Sequence, residues 1–266
     1  MDERDRPSAL VTGASSGIGE AFAARLAADG CDLVVVARRR ERLEALAERL
    51  SESSGAGVRV HVADLTDPAQ LAGVEELAAA EPSLDMVVNN AGFPGYGPFV
   101  QLGPDMAEDL IRIHNIAPIR VTRAALPGMI ERGRGSIINV ASLLAFSQSL
   151  PPGMMPFRST YAACKAFLVT FTVALRHELE GTGVRAMVYC PGMVETEFHG
   201  LDYQGPPRMK ADLSVAACMK GLEFDEAICA PTLEDPSAID AFHEAQRALA
   251  SGALSLAPAP RYLSNG

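Results

Sequence analysis

Positive charge is scarce in this 266-residue sequence, which has 23 lysine and arginine residues against 33 aspartate and glutamate residues. The formal net charge is −10 and the isoelectric point is about 5.0. Proteins that bind nucleic acids usually present a basic face to the phosphate backbone. The acidic balance therefore argues against a nucleic-acid partner.

Paired cysteine and histidine motifs are also missing. The five cysteines contain no CxxC pair, and the five histidines form no HxxxH or HxH pair. An odd number of widely spaced cysteines favours reduced thiols over a disulfide framework. We therefore expect free thiols and no metal site.

Long apolar runs are absent as well. No run approaches the roughly 20 residues that a membrane-spanning helix needs. The first ten residues, MDERDRPSAL, are charged and lack the apolar core of a signal peptide. We expect a cytoplasmic protein without a membrane partner.

Short apolar runs alternate with helical patterns along the chain. The predicted strands are ALVT (9–12), DLVVVA (32–37), VRVHVA (58–63), LDMVVNNA (84–91), SIINVAS (136–142) and VRAMVYC (184–190). Long helical patterns cover about 104–132 and 159–181, and Asp67-Pro68 predicts another helix start. Strands that are apolar throughout and separated by helices indicate a parallel sheet covered on both faces. The sequence predicts one doubly wound α/β domain over residues 1–266.

A glycine-rich segment, TGASSGIG (12–19), joins the first strand to the first helix. Its GxxxGxG spacing is one residue longer than the usual GxGxxG. Backbone N–H groups at a helix N-terminus attract an anion, so a strand–turn–helix of this kind favours dinucleotide binding over an ordinary turn. The predicted phosphate-loop residues are Gly13, Ser15, Ser16, Gly17, Ile18 and Gly19.

The end of the second strand indicates which dinucleotide binds. An NAD site usually has an acidic residue there, whereas arginine suits the 2′-phosphate of NADP. This strand ends with Ala37, followed by Arg38, Arg39 and Arg40. Three cations at a helix N-terminus oppose the helix dipole, and a bound anion would relieve that conflict. We expect NADP(H) rather than NAD(H), with Arg38 as the main contact and Arg39 as a second.

Tyr161 and Lys165 are four residues apart in a predicted helix, so their side chains lie one turn apart on one face. A phenol has a pKa near 10, and a neighbouring ammonium group lowers it. Such a pair can serve as a general acid/base for a carbonyl or an alcohol. The same spacing also occurs on ordinary helix surfaces.

Further motifs accompany this pair in a fixed order. They are TGASSGIG, NNAG (89–92), Asn115 in a long helix, Ser142 at a strand end, YAACK (161–165) and PGMVET (191–196). Together they resemble the short-chain dehydrogenase/reductase family, in its single-domain branch with TGxxxGxG and YxxxK motifs. The resemblance covers about residues 7–197 and extends loosely to 220–236. It implies a Rossmann fold and hydride transfer between NADP(H) and a carbonyl compound or secondary alcohol.

The resemblance also implies a role for each matching residue. Tyr161 would be the acid in reduction and the base in oxidation, and Lys165 would hold the nicotinamide ribose and lower the tyrosine pKa. Ser142 would bind the substrate oxygen, and Asn115 would hold a water that relays protons to Lys165. The other implied coenzyme contacts are Asp64, Leu65, Asn89, Asn90, Ala91, Gly92, Pro191, Gly192, Val194 and Thr196.

Several of these residues also have ordinary structural interpretations. Asp64 would contact the adenine amino group or simply form a local turn. Asn115 would distort a helix near Pro118, and Ser142 would cap a strand end. For any one residue the structural interpretation is sufficient. That Asn115 and Ser142 both occur together with the YxxxK pair is improbable on the structural interpretations alone.

Four serines precede Tyr161, and the nearest is not the one we expect to act with it. Ser159 is predicted to be a helix N-cap, and Ser147 and Ser149 lie in a loop without a fixed position. Ser142 follows a buried strand, so the scaffold fixes its place. The sequence between Ser142 and Tyr161 is longer than the family usually allows, and we interpret about 143–158 as a substrate loop.

The substrate side is rich in apolar residues, and about 193–213 corresponds to the family's substrate lid. Candidates for a pocket wall are Phe93, Tyr96, Phe146, Met154, Met155, Phe157 and Phe198, although loop packing would use the same residues. They favour a hydrophobic ketone or aldehyde as substrate. The long helices could pack against copies of themselves, as in the dimers and tetramers of the family.

Two other functions remain as alternatives. A non-catalytic NADP(H)-binding sensor or interaction module would not need the Asn115, Ser142, Tyr161 and Lys165 set. A sugar-nucleotide epimerase of the longer branch of the family would need TGxxGxxG and a larger C-terminal domain.

Overall fold

The computed structural model describes residues 6–150, 157–199, 207–252, 254 and 257–263. The chain divides into two compact units, Met1–Pro231 and Thr232–Gly266. The single domain over 1–266 stays a prediction. The second unit contains the helix α8 (Ser237–Gly252) and a short 3₁₀ helix (Pro260–Tyr262).

The first unit is built on a seven-stranded parallel sheet. Its strands are β1 (Ser8–Thr12), β2 (Asp32–Ala37), β3 (Val58–Val62), β4 (Leu84–Asn89), β5 (Gly135–Val140), β6 (Val184–Tyr189) and β7 (Ile228–Cys229). The strand order is β3-β2-β1-β4-β5-β6-β7. This is the predicted doubly wound Rossmann sheet, and all six predicted strands are confirmed to within two residues at each end.

Helices cover both faces of the sheet. They are α1 (Gly17–Ala28), α2 (Arg40–Ser54), α3 (Pro68–Ala80), α4 (Pro104–Ile111), α5 (Ala117–Arg132), α6 (Ser159–Glu178) and α7 (Ala211–Glu223). One apolar core joins α1, α2 and α7 to one face, and a second joins α3, α5 and the end of α6 to the other. Neighbouring strand residues point to opposite cores, as Val11 and Leu10 do, so the strands are apolar throughout.

Two helix starts illustrate how the sequence sets these boundaries. The Asp67 carboxylate accepts hydrogen bonds from the N–H groups of Ala69 and Gln70, and Pro68 occupies the first turn of α3, as predicted. At α6 the N-cap prediction is wrong, because Ser159 is the first helical residue and Arg158 occupies the N-cap position.

The predicted helix over 104–132 is interrupted. A π-helical turn, Arg112–Ile116, separates α4 from α5. Pro118 lacks an N–H group and cannot donate to the carbonyl of His114, four residues earlier. The side-chain amide of Asn115 donates to that carbonyl instead, at 3.1 Å. The helix is therefore distorted at Asn115, and the Asn115 side chain is buried within the distorted turn.

All five cysteines are free thiols, as predicted. Within the described ranges, none of the helices is both long and apolar enough to span a membrane.

Candidate active site

The carboxyl ends of the parallel strands form a cleft where the strand order reverses, between β1 and β4. Such a crevice is where open α/β sheets bind ligands. It is lined from the first four strand ends by Gly13, Ser15, Ser16, Ala37, Arg38, Arg39, Asp64, Leu65, Ala91 and Gly92. Ten of the residues that the sequence predicts or examines for the coenzyme site thus meet in one cleft.

The glycine loop has a backbone that other residues would strain. Gly13 and Gly17 have φ angles of +68° and +59°, a region that favours glycine. A Cβ atom on Gly17 would lie 2.7 Å from the Thr196 methyl carbon, and one on Gly19 would lie 2.3 Å from the Gly13 carbonyl oxygen. The glycines therefore let the loop, the start of α1 and the segment after β6 approach closely, which fits a phosphate cradle.

The NNAG segment divides into an internal and a cleft-facing part. Asn89 is buried and donates to Thr122 Oγ1 at 3.0 Å and Asn139 Oδ1 at 2.8 Å. Asn90 donates to the Thr12 carbonyl at 2.9 Å, so it ties β4 to the start of the glycine loop. The Asn89 side chain thus braces the core, and Ala91 and Gly92 face the cleft.

The three arginines after β2 make different contacts. Arg38 pairs with Asp64 at 3.5 Å, and Arg40 pairs with Glu44 at 3.3 Å. Arg39 donates to Ser15 Oγ at 3.0 Å and to Ser16 Oγ at 2.7 Å. Arg39, which the sequence places second, is therefore the arginine that reaches the glycine loop.

Asp64 forms a local turn and also faces the cleft. Its carboxylate accepts hydrogen bonds from the N–H and hydroxyl groups of Thr66, at 3.0 and 2.8 Å. Partial burial alone would raise the pKa of Asp64, but these hydrogen bonds and the charge of Arg38 lower it. Asp64 therefore does act as a local turn former.

Tyr161, Ser142 and Lys165 lie near the carboxyl end of β5, a neighbour of β4 in the same sheet. The Ser142 side chain lies close enough to Tyr161 to oppose the rise in the pKa of the phenol that burial causes. Lys165 lies one turn further along α6, with Nζ 5.5 Å from the centroid of the Tyr161 ring, and donates to the Val140 carbonyl at 2.8 Å. The serine at the end of β5 and the two residues on α6 therefore form one cluster.

Burial shifts both ionisable groups of this cluster towards their neutral forms. Desolvation raises the pKa of Tyr161, the neighbouring Tyr96 raises it further, and the nearby Ser142 side chain acts against both. Desolvation lowers the pKa of Lys165 to about 8. At neutral pH the cluster therefore holds a protonated phenol beside a lysine that titrates close to physiological pH.

A comparison with known proteins agrees with this geometry. The family model described as short chain dehydrogenase matches residues 7–204. The chain belongs to the short-chain dehydrogenase/reductase family.

Individual relatives give the same result. The NADP-dependent 3-hydroxy acid dehydrogenase YdfG of Salmonella typhi is 38% identical over 204 residues, 74% of this chain and 76% of that protein. A short-chain dehydrogenase from Sphingobium yanoikuyae, solved in complex with NADPH, superposes with a TM-score of 0.91 at 36% identity, covering 96% of this chain and 100% of that one. The bulky-bulky ketone specific alcohol dehydrogenase of Comamonas testosteroni gives a TM-score of 0.90 at 32% identity, covering 98% and 100%.

Asn115, for which the family resemblance predicts a proton-relay role, lies beside α6. Its amide donates to the Cys164 carbonyl at 2.9 Å, in addition to the His114 carbonyl. Asn115 thus joins the π-helical turn to the helix that carries Tyr161 and Lys165. Among the described residues, the side chains of Asn115 and Lys165 hydrogen-bond to backbone carbonyls and not to each other.

His114 is a site neighbour that the sequence analysis missed. Its ring is fully buried and meets the Tyr161 ring edge-on, with centroids 5.3 Å apart. Nε2 lies 3.0 Å from the Phe93 carbonyl oxygen. Burial and the charge of Lys165 hold the pKa of His114 well below its usual range, despite that hydrogen bond. A lone histidine in an apolar helix gave no signal beyond its place next to Asn115.

The PGMVET segment runs from the neighbourhood of Ser142 to the glycine loop. The Pro191 carbonyl accepts a hydrogen bond from Leu143 at 3.0 Å, directly beside Ser142. Val194 is buried and pairs with Met209 in an isolated bridge. Gly192 lies between Pro191 and Val194 along the chain. Thr196 faces Gly17. The segment thus connects the neighbourhood of Ser142 to the glycine loop.

Aromatic side chains surround Tyr161. The rings of Tyr96 and Phe198 lie 5.4 and 5.9 Å from it, and Phe93 lies 6.0 Å from His114. Phe146 is half-buried, whereas Phe157 is 69% exposed. The other two predicted pocket residues, Met154 and Met155, lie outside the described residues, as do 151–156 of the substrate loop and 200–206 of the lid.

The base of the substrate loop is fixed, contrary to the prediction for Ser147. This serine is buried in a 3₁₀ helix, Leu143–Ser149. Its hydroxyl donates to the Leu144 carbonyl at 2.6 Å and accepts from Arg158 Nε at 2.9 Å. A buried hydroxyl needs such partners, so Ser147 serves to close the loop.

In the part of the chain that the structure describes, no cluster of three or more histidine, cysteine, aspartate or glutamate side chains could hold a metal ion.

Proposed function

We propose that this protein is an NADP(H)-dependent oxidoreductase that transfers a hydride between nicotinamide and a carbonyl group or secondary alcohol. The observation that carries the proposal is the cluster of Tyr161, Ser142 and buried Lys165, in a sheet whose first four strand ends form a cleft lined by the glycine loop. A protein that only binds NADP(H) has no use for a phenol placed beside a serine hydroxyl and a buried lysine. Membership of the short-chain dehydrogenase family supports the same function.

NADP(H) is the coenzyme that the relatives and the cleft both support. The Salmonella relative is named NADP-dependent, and the Sphingobium structure contains NADPH. Here β2 ends with Ala37 rather than an acidic residue, and Arg39 lies against the glycine loop. We assign the pyrophosphate to the glycine loop, the 2′-phosphate mainly to Arg39, and the nicotinamide ribose to Lys165.

The bound coenzyme supplies or accepts the hydride, and the chain supplies the proton. In reduction, Tyr161 donates its proton to the carbonyl oxygen, and the raised pKa keeps that proton on the phenol at neutral pH. Ser142 donates a hydrogen bond to the same oxygen as negative charge develops there. In oxidation the charged form of Lys165 favours the phenolate, so Tyr161 can accept the proton.

We propose a hydrophobic ketone or aldehyde as the substrate class. The support is the aromatic surround of Tyr161, formed by Tyr96, His114 and Phe198. Binding pockets for small molecules are mostly apolar with a few convergent polar groups. The Comamonas neighbour, named for bulky-bulky ketones, is consistent with this class.

One observation favours a second substrate class, a ketone that carries a carboxylate. Burial raises the pKa of Tyr96, and the positive charge of Arg158 acts against that rise. The Tyr96 ring in turn lies 5.4 Å from the Tyr161 ring. A cation near the reacting tyrosine would attract an acidic substrate, and the Salmonella relative is named for 3-hydroxy acids. Arg158 already donates to Ser147, however, so we place this class second.

A matched pair of substrates separates the two classes. The enzyme is given NADPH with a 3-oxo acid and with the ethyl ester of the same acid, and NADPH oxidation is followed by absorbance. We expect the higher kcat/KM for the ester. A preference for the free acid would favour the Arg158 class, and NADPH binding without turnover of any carbonyl compound would favour the non-catalytic alternative.

We also propose that the protein forms a homodimer or homotetramer through its long helices. Met106 and Ile111 on α4 and Phe167 on α6 are each between 40 and 46% exposed. Light scattering of the purified protein tests this, and a monomer at micromolar concentration would contradict it.

A further inference from the structure

Glu197 contacts two arginines, Arg39 at the N-cap position of α2 and Arg42 within α2. Its carboxylate accepts a hydrogen bond from Arg39 on one oxygen at 2.8 Å and from Arg42 on the other at 2.6 Å. Glu197 begins a short 3₁₀ helix directly after the PGMVET segment. The contact therefore joins the chain after β6 to the end of β2, where Arg39 lines the cleft.

Arg39 is shared between this carboxylate and the glycine loop. The same guanidinium group that pairs with Glu197 donates to the hydroxyl groups of Ser15 and Ser16. Arg42 follows Arg39 by three residues and faces the same carboxylate. Two guanidinium groups thus converge on one anionic group at the edge of the cleft.

We propose that Glu197 competes with the 2′-phosphate of NADP(H) for Arg39 and Arg42, and that Arg42 is a further ligand of that phosphate. The competition rests on the proposed assignment of the phosphate to Arg39. A phosphate monoester offers three acceptor oxygens and more negative charge than a carboxylate, and arginine binds both groups with the same fork of N–H donors. Both anions cannot occupy the same donors, so the phosphate has to displace Glu197.

The competition affects only the coenzyme that carries the phosphate. NAD(H) lacks the 2′-phosphate, so it leaves the contacts of Glu197 with Arg39 and Arg42 in place. Glu197 therefore weakens the binding of NADP(H) without weakening that of NAD(H). Its effect is moderate, because the side chains of Arg39, Arg42 and Glu197 are between 36 and 49% exposed, and exposed ion pairs are individually weak.

The test is the dissociation constant of each coenzyme, measured by fluorescence titration of the whole protein at low ionic strength without substrate. We expect Glu197→Gln to bind NADPH about two- to fivefold more tightly and NADH unchanged. Salt should reduce the difference, because it screens exposed charges. Glu44→Gln is the control, since it removes one negative charge from α2 at a residue paired with Arg40, and it should leave the ratio of the two constants unchanged.

Two arginine variants separate the competition from the proposed coenzyme site. Arg39→Gln should weaken NADPH binding and leave NADH binding unchanged, and Arg42→Gln should do the same to a smaller extent. If Arg39→Gln does not discriminate, the assignment of the 2′-phosphate to Arg39 fails. If it does discriminate but Glu197→Gln weakens NADPH, leaves it unchanged or tightens both coenzymes equally, only the competition is overturned. An unchanged NADPH constant for Arg42→Gln would remove Arg42 from the phosphate site.

Discussion

The Ser142 side chain lies close enough to Tyr161 to oppose the rise in the pKa of its phenol that burial causes, although 19 positions separate the two residues in the sequence. The serine follows β5, and the backbone on both sides of it is held by β6 and the residues after it. Ala141 donates to the Tyr189 carbonyl at 2.7 Å, and Leu143 donates to the Pro191 carbonyl at 3.0 Å. The sheet and the segment after β6 therefore hold the backbone around Ser142, whatever the length of the segment that leads to Tyr161.

The effect of Ser142→Ala on turnover tests this relationship. Removing one hydrogen-bond donor to a developing negative charge costs about 10²–10³-fold in kcat, and we expect a loss of that size. Ser159→Ala is the matched control, because Ser159 is nearer to Tyr161 in sequence but exposed at the start of α6. A loss with Ser159→Ala comparable to that with Ser142→Ala would contradict the assignment.

Lys165 should make the stability of the protein depend on pH. Burial lowers its pKa to about 8, while an unfolded chain holds the proton up to about pH 10.4. Between these values the unfolded state binds more protons, so the free energy of unfolding rises with pH.

A comparison with Lys165→Met isolates this contribution. From pH 7.5 to 10, the free energy of unfolding of the wild type should increase relative to that of the variant by up to about 3 kcal/mol. Urea unfolding at several pH values measures the difference. A difference that falls or stays constant with pH would show that Lys165 is not a buried lysine with a lowered pKa.

Gly17→Ala should impair coenzyme binding more than it impairs folding. The substitution adds a Cβ atom at a φ of +59° and places it 2.7 Å from the methyl carbon of Thr196, at the edge of the phosphate cradle. Left-handed strain alone costs about 1–2 kcal/mol. We expect the Kd for NADPH to rise at least tenfold while the protein stays folded.

Gly55→Ala is the control for this strain. Gly55 has a φ of +67° after α2, and a Cβ atom there would meet nothing within 4 Å. Both variants should lose similar thermal stability from the backbone, but only Gly17→Ala should lose coenzyme affinity. Equal affinities would show that the glycine loop does not hold the phosphates.

Much of the fold could be predicted because burial on both faces leaves a local signal. Strands such as DLVVVA (32–37) are apolar throughout, and Asp67 with Pro68 marks a helix start by local chemistry. A distortion at Asn115 near Pro118 was one interpretation of the sequence, but the π-helical turn over Arg112–Ile116 that divides the predicted helix was not predicted. It depends on how Asn115 satisfies two carbonyls, one of them on the distant helix α6.

The site was predictable where a motif fixes the chemistry, as for Tyr161 and Lys165. Glu197 and Arg42 were missed because their meeting depends on the distance between two segments 155 residues apart. The order of Arg38 and Arg39 was equally hidden, since both follow the same strand. Only the direction of the chain at the start of α2 shows that Arg39 reaches the glycine loop.

The central claim is that Tyr161 transfers the proton in a carbonyl–alcohol reaction, and Tyr161→Phe tests it most directly. The variant keeps the ring that packs against His114 and Tyr96 and loses only the hydroxyl group. We predict that NADPH binds with a Kd within about twofold of the wild type, while turnover of a carbonyl substrate falls about 10²–10⁴-fold. Turnover within a few-fold of the wild type, with the coenzyme still bound, would contradict the account.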